Sequence, residues 1–156
     1  MPAPDFILNL RKKVGNDLLW LPGVRGVVVD GEGRILLARR ADNGQWALVS
    51  GILEPGEQPA RGLVREIVEE TAVVAEVEHV VSVGAVGPFT YPNGDVCEFL
   101  DIVFKCRYVS GTARINDDES LAVGWFAPTD LPELMAGHLT SIRRALAPAG
   151  TAHFEA

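Results

Sequence analysis

Residues 60–71 follow a helical period, and valine-rich runs of β type stand on both sides of them. A helix set between strands in this way holds the chain to an α+β architecture, because each element must bury one apolar side against the others. Pro59 suits the first turn of the helix, and Ala60, Val64, Ile67, Val68 and Thr71 fall on one side, the side expected to face the core. Upstream, residues 24–30 and 34–40 are two apolar runs around a Gly-Glu-Gly turn and predict a hairpin. Residues 46–50 predict a short strand that ends at Gly51, and a loop rich in Pro and Gly then leads into the helix.

Downstream, residues 73–86 predict one or two strands, Asn93-Gly94 a hairpin turn, and residues 96–109 a long returning strand. Residues 122–126 predict another strand, Thr129 and Asp130 cap a short turn, and residues 138–147 predict a last helix stopped by Pro148. Residues 1–22, closing on Leu21-Pro22-Gly23, read as an N-terminal arm or helix. The division expected is this arm, a domain over residues 23–148 and a flexible tail over 149–156.

A chain of 156 residues fits one domain that folds without disulfides or a structural metal. Cys97 and Cys106 lie an odd number of residues apart in one strand, point to opposite faces and read as buried hydrophobes. No apolar run has the length of a membrane helix and the first residues lack a signal-peptide pattern, so a cytoplasmic protein away from membranes is expected. The net charge of −7 argues against a nucleic acid polymer as partner. It leaves a small phosphorylated substrate open, provided cations are supplied at the site, and bound divalent metals are the usual supply.

The helix carries the carboxylates for that task. Taking Glu66 as origin, Glu70 lies about 40° and Glu69 about −60° around the helix, so the three span about 100° of surface away from the expected core side. Like charges on adjacent turns repel, with Arg65 alone beside them to compensate. Glutamate oxygens at this spacing suit hard divalent ions that keep open positions for water and phosphate.

From Gly51 onward, Gly51, Glu57, Arg65, Glu66, Ile67, Glu69, Glu70 and Val73 stand at offsets that resemble the Nudix box, G-x5-E-x7-R-E-U-x-E-E-x-G-U. One fixed position departs from it: Ala72 replaces the usual Gly. The resemblance spans roughly residues 24 to 134 and implies the Nudix fold, a mixed β-sheet sandwiched between α-helices. It further implies Mg²⁺, with Mn²⁺ as a substitute, bound by Glu66, Glu69 and Glu70 with the Gly51 carbonyl and Glu57 as supplements. Arg65 is expected to hold one or two glutamates in place rather than to touch substrate. For the general base, Glu69 is the first candidate and Glu119, in Asp117-Asp118-Glu119, the second. At Ala72 a helix end with negative φ is expected, since Ala resists the angles that Gly tolerates.

Tyr91, Phe89 and Trp125 are candidates for stacking on a nucleotide base, while Trp46 reads as packing. His79, His138 and His153 are scattered and show no metal-ligand spacing. The leading expectation is hydrolysis of a nucleoside diphosphate linked to another moiety, with ADP-ribose as test compound. The alternatives are a MutT-like nucleoside triphosphate pyrophosphohydrolase and a non-catalytic nucleotide sensor, the latter disfavoured by intact glutamates. A homodimer, common in that family, is expected.

Overall fold

The computed structural model describes residues 3–156. Its elements are α1 (Asp5–Val14), β1 (Leu19–Val29), β2 (Ile35–Arg40), β3 (Trp46–Ala47), β4 (Val49–Ile52), α2 (Pro59–Thr71), β5 (Val74–Thr90), β6 (Val96–Ser110), β7 (Ser120–Phe126) and α3 (Ala136–Leu146). Among the described residues the strands form one mixed sheet in the order β3-β2-β1-β6-β5, with β4 also on β1 and β7 also on β2. The β1–β6 pair is parallel and the others are antiparallel. None of the described helices is long and apolar enough to cross a membrane.

Alternation along β1 and β6 decides which helix lies on which face. Val24, Val28, Phe104 and Cys106 turn to α2 and pack with Leu63 and Ile67. Val27 and Val103 turn the other way, to Ile142 and Ala145 of α3. On that same face Leu21 and Cys97 meet Ile7 of α1. The sheet is thus sandwiched, with α2 on one face and α1 and α3 on the other, and the two cysteines are free, buried and on opposite faces.

The expected hairpin forms, but it is short. Asp30 holds its turn, accepting at Oδ1 from the backbone N–H of Glu32 (2.9 Å) and Arg34 (2.8 Å). Val29 pairs with Ile35, after which the strands part: β1 takes β4 over residues 23–26 and β2 takes β7 and β3. Leu21-Pro22-Gly23 lies inside β1. In the tail, His153 exchanges backbone hydrogen bonds with Val81 (2.9 Å) and Val83 (3.0 Å) on the edge of β5.

The core side of α2 differs from the wheel. Leu63, Ile67 and Thr71 are buried as one stripe with Gly62 and Glu66, whereas Val68 is 37% exposed. Gly26 explains the close approach, since a Cβ there would stand 3.1 Å from Leu63 Cδ1. The helix settles on the strand through that glycine, and the rotation carries Glu66 inward.

Candidate active site

Glu66 has no exposed surface. The expectation that all three glutamates face away from the core therefore fails for this one, and Gly51 supplies the reason. A Cβ at position 51 would collide with the Glu66 carboxyl, so only glycine lets strand β4 and the carboxylate share the space. Its Oε1 accepts from Arg65 Nη1 at 2.9 Å, while its Oε2 is buried without a hydrogen-bond partner. Burial pushes the Glu66 carboxyl up to about 7 against the pull of Arg65, with Glu69 adding to the rise.

Arg65 does more than the expected one or two contacts. It grips Glu57 with two parallel bonds, Nε to Oε1 at 2.8 Å and Nη2 to Oε2 at 2.9 Å, and reaches Glu69 Oε2 at 3.1 Å besides Glu66. The guanidinium is raised further above its usual range, first by Glu57. Glu57 is correspondingly lowered, by the same hydrogen bonds. Among the described residues, no three acidic, His or Cys side chains converge as a ready metal cage, and the arginine lies among the carboxylates. The donor set nonetheless fits a hard cation: an unpartnered buried carboxylate oxygen, a glycine cradle beside it, and carboxylates within one helical turn.

Glu70 is pushed up to about 8, by burial first and then by the charges of Glu66 and Asp117. The path that brings Asp117 here is backbone-driven. Residues 111–116 run past the end of α2 and satisfy its last carbonyls: Arg114 N–H donates to Thr71 (3.1 Å) and Asn116 N–H to Glu70 (3.3 Å), while Asn116 Nδ2 reaches Val68 O at 2.9 Å. Glu119 then accepts from Ala41 N–H at 2.7 Å, which ties the acidic segment to the end of β2.

Ala72 closes the helix in the left-handed region, φ 58° and ψ 16°. This corrects the expected negative φ: the chain keeps the conformation glycine would take, with the 111–116 segment bonded to the adjacent helix end. A Cβ on Gly111 would strike the Ala72 carbonyl, which shows how closely the segments pass.

The aromatic candidates are not brought together. Trp125 packs edge-to-face on Tyr108, ring centres 5.5 Å apart, on the α2 side. Tyr91 packs beside the α1 cluster, and Phe89, 38% exposed, tilts on Phe99 at 6.1 Å. Trp46 packs on Phe126 at 4.8 Å. Sequence reasoning missed Arg40. Bound to Asp42 through Nε at 2.9 Å, its charge lowers both the Glu70 carboxyl and the Tyr91 hydroxyl against the burial that raises them. The Arg39-Arg40 pair at a strand end was the visible signal, but nothing local says which of them turns to the site.

An acidic helix seated through a glycine on a mixed sheet, with helices on both faces, is the setting of a hydrolase of pyrophosphate bonds, a class that the family match and a pyrophosphatase relative support. Residues 20–146 match the family model of the NUDIX domain, and the chain belongs to that family. It is 41% identical over 113 residues to a MutT-like protein of Streptomyces ambofaciens, covering 72% of this chain and 68% of that one. It is 32% identical to the human 8-oxo-dGDP phosphatase NUDT18, covering 88% of this chain but only 39% of the longer protein. The ADP-ribose pyrophosphatase of Methanocaldococcus jannaschii is 32% identical over 114 residues, 71% of this chain and 64% of that protein. The MutT protein of Methanosarcina mazei Go1 shares the fold with TM-score 0.69 at 22% identity, covering 83% of this chain and 94% of that one.

Proposed function

We propose that the chain hydrolyses the diphosphate bridge of a nucleoside diphosphate linked to another moiety, with Mg²⁺ or Mn²⁺ at the α2 carboxylates. The observation that carries this reading is Glu66, fully buried against Gly51 with one carboxylate oxygen unpartnered. Glu66, Glu69 and Glu70 would hold the cation, with the Gly51 carbonyl and Glu57 in support. Bound there, a divalent ion neutralises diphosphate charge and acidifies a water.

The protein's own groups do the rest. Arg65 keeps Glu57, Glu66 and Glu69 in fixed rotamers through charge-assisted bonds. Glu69, whose side chain is 48% exposed and tied to Arg65 only by Oε2, offers Oε1 to take the proton from the attacking water. Glu119 is the second candidate for that proton. Arg40, whose charge favours the charged form of Glu70, is the cation offered to a phosphate oxygen.

A second reading, a MutT-like enzyme releasing pyrophosphate from nucleoside triphosphates, draws support from the MutT-like relative. A nucleotide sensor is disfavoured by the complete glutamate set. We also propose a homodimer and a cytoplasmic location, the first to be read by sedimentation. The deciding experiment offers purified protein with Mg²⁺ or Mn²⁺ a panel of nucleoside diphosphate sugars, dinucleotides and triphosphates. AMP from ADP-ribose supports the reading, pyrophosphate from triphosphates moves it to the second, and silence across the panel sinks both.

A further inference from the structure

The sheet face opposite α2 has a gap between its two helices. α1 covers the row of Leu21, Cys97 and Phe99, and α3 covers the row of Val27 and Val103. Asp101 lies between these rows, on the same face as Val103 two residues on. Its cross-strand neighbours are both glycines, Gly23 on β1 and Gly84 on β5. Directly opposed residues share a face, so neither strand sets a side chain directly across from the carboxylate. A Cβ at Gly84 would meet nothing within 4 Å, while one at Gly23 would touch the Phe99 ring at 3.4 Å. The result is a trough with a Gly-Asp-Gly floor and a phenylalanine wall.

Arg25 forms the opposite wall. It bonds Asp101 Oδ2 through Nη2 at 3.3 Å, the two side chains being only 14% and 10% exposed. Its Nε is buried without a partner, and Gly137 of α3 leaves room beside Nη1. A guanidinium has five N–H donors, and one carboxylate contact leaves it under-used. A buried ion pair of this kind needs further polar partners to balance its desolvation. Ser50, the neighbour of Gly51, stands directly opposite Arg25 on β4.

We propose that this trough is a base-reading subsite for a guanine-type nucleobase, with Asp101 accepting from the ring N1–H and the adjacent exocyclic amino group, Arg25 donating to the neighbouring carbonyl, and Phe99 packing on the ring. Adenine offers the carboxylate one amino group and the guanidinium no carbonyl. The inference deepens the proposed nucleotide hydrolysis and rests on it for the diphosphate, so a GDP-linked compound becomes a better substrate than ADP-ribose.

The test is calorimetric titration of the full chain with GMP, IMP and AMP in Mg²⁺ buffer, which reads the base without turnover. GMP is expected to bind roughly ten- to a hundredfold more tightly than AMP, with IMP between because it lacks the second donor. Asp101→Asn, nearly isosteric, should shrink that preference to below about threefold. Gly84→Val sets its Cβ in open space and its methyls in the trough beside the ion pair, so it should weaken all three by about tenfold or more with the melting temperature held. Equal binding of GMP and AMP, a preference that survives Asp101→Asn, or indifference to Gly84→Val each overturns the subsite. Guanine-selective binding without hydrolysis of any nucleotide would instead support the subsite and reject the proposed reaction.

Discussion

The two faces of the sheet are built on opposite electrostatic plans. On the α2 side, acidic groups outnumber the one arginine among them: Arg65 is shared by Glu57, Glu66 and Glu69, and Glu70 sits near Asp117 with its charge disfavoured. On the α1 and α3 side, Arg25 and Asp101 are paired one to one, with neutral His138 alongside. An excess of buried carboxylate is an arrangement that a cation relieves, whereas a balanced pair with spare donors suits a neutral polar ligand. Mutations on the first face should therefore act on turnover and on the second on selectivity.

The largest effect expected is from Glu69→Gln. Removing a proton acceptor typically lowers turnover by about 10²- to 10⁴-fold. The exposed side chain should leave the fold unchanged, and easing like-charge repulsion should hold or slightly raise the melting temperature. Steady-state kinetics on the best panel substrate checks it, and wild-type turnover would remove Glu69 from the chemistry. Next comes Gly51→Ala, where the new methyl must displace Glu66. Overpacking of this kind costs about 1–3 kcal/mol, so both the denaturation midpoint and the metal-dependent activity should fall. A midpoint unchanged from wild type would show that Glu66 can swing away freely.

The first face was legible in the sequence because its parts are neighbours. Glu66, Glu69 and Glu70 recur at helical spacing, and the box offsets extend that pattern back to Gly51. Even there the rotation of the helix was misjudged, since Val64 and Val68 look like core residues and the glycine at position 26 that decides the seating gives no periodic signal. The second face was not legible. Arg25, Gly84, Asp101 and His138 come from four separate elements, joined only by strand register and by the parting of β1 from β2 after Val29. Phe89 was singled out as an aromatic, but its neighbour Phe99 follows only from the register of β5 on β6.

The faces should also separate in their pH dependence. In the metal-free protein Glu66 and Glu70 sit near 7 and 8 instead of the usual 4.5, so between these limits the folded state holds more protons than the unfolded. Stability must then fall as pH rises from about 4.5 to 8, and Mg²⁺ should restore it. His138 acts with the opposite sign. Burial, then Arg25 and Arg40, hold it down to about 3 from 6.5, so the unfolded state binds the extra proton and stability is lost as pH falls below about 6.5. Thermal melts from pH 4 to 9 should show both limbs, with His138→Gln softening only the acid one. An acid limb unchanged in that variant would assign it to other groups.

The smallest effect belongs to the end of α2. Ala72 holds a left-handed conformation at φ 58°, which for a residue with a Cβ costs about 1 kcal/mol. The conformation persists because its surroundings over-determine it: Ala72 N–H donates to Val68 O at 2.9 Å, and the neighbouring Arg114 and Asn116 bonds close the helix end against the same turn. Ala72→Gly relieves the strain but gives the unfolded chain more freedom, an offset of about 0.4–1 kcal/mol. The net gain should therefore be a few tenths of a kcal/mol, a rise of about 1 °C in melting temperature for a domain of this size. Turnover should not change, because the carboxylates are set by Arg65 and Gly51 rather than by the helix end. A large rise in activity would mean that the strain reaches Glu70 through the last turn, and would make the alanine a brake on the site.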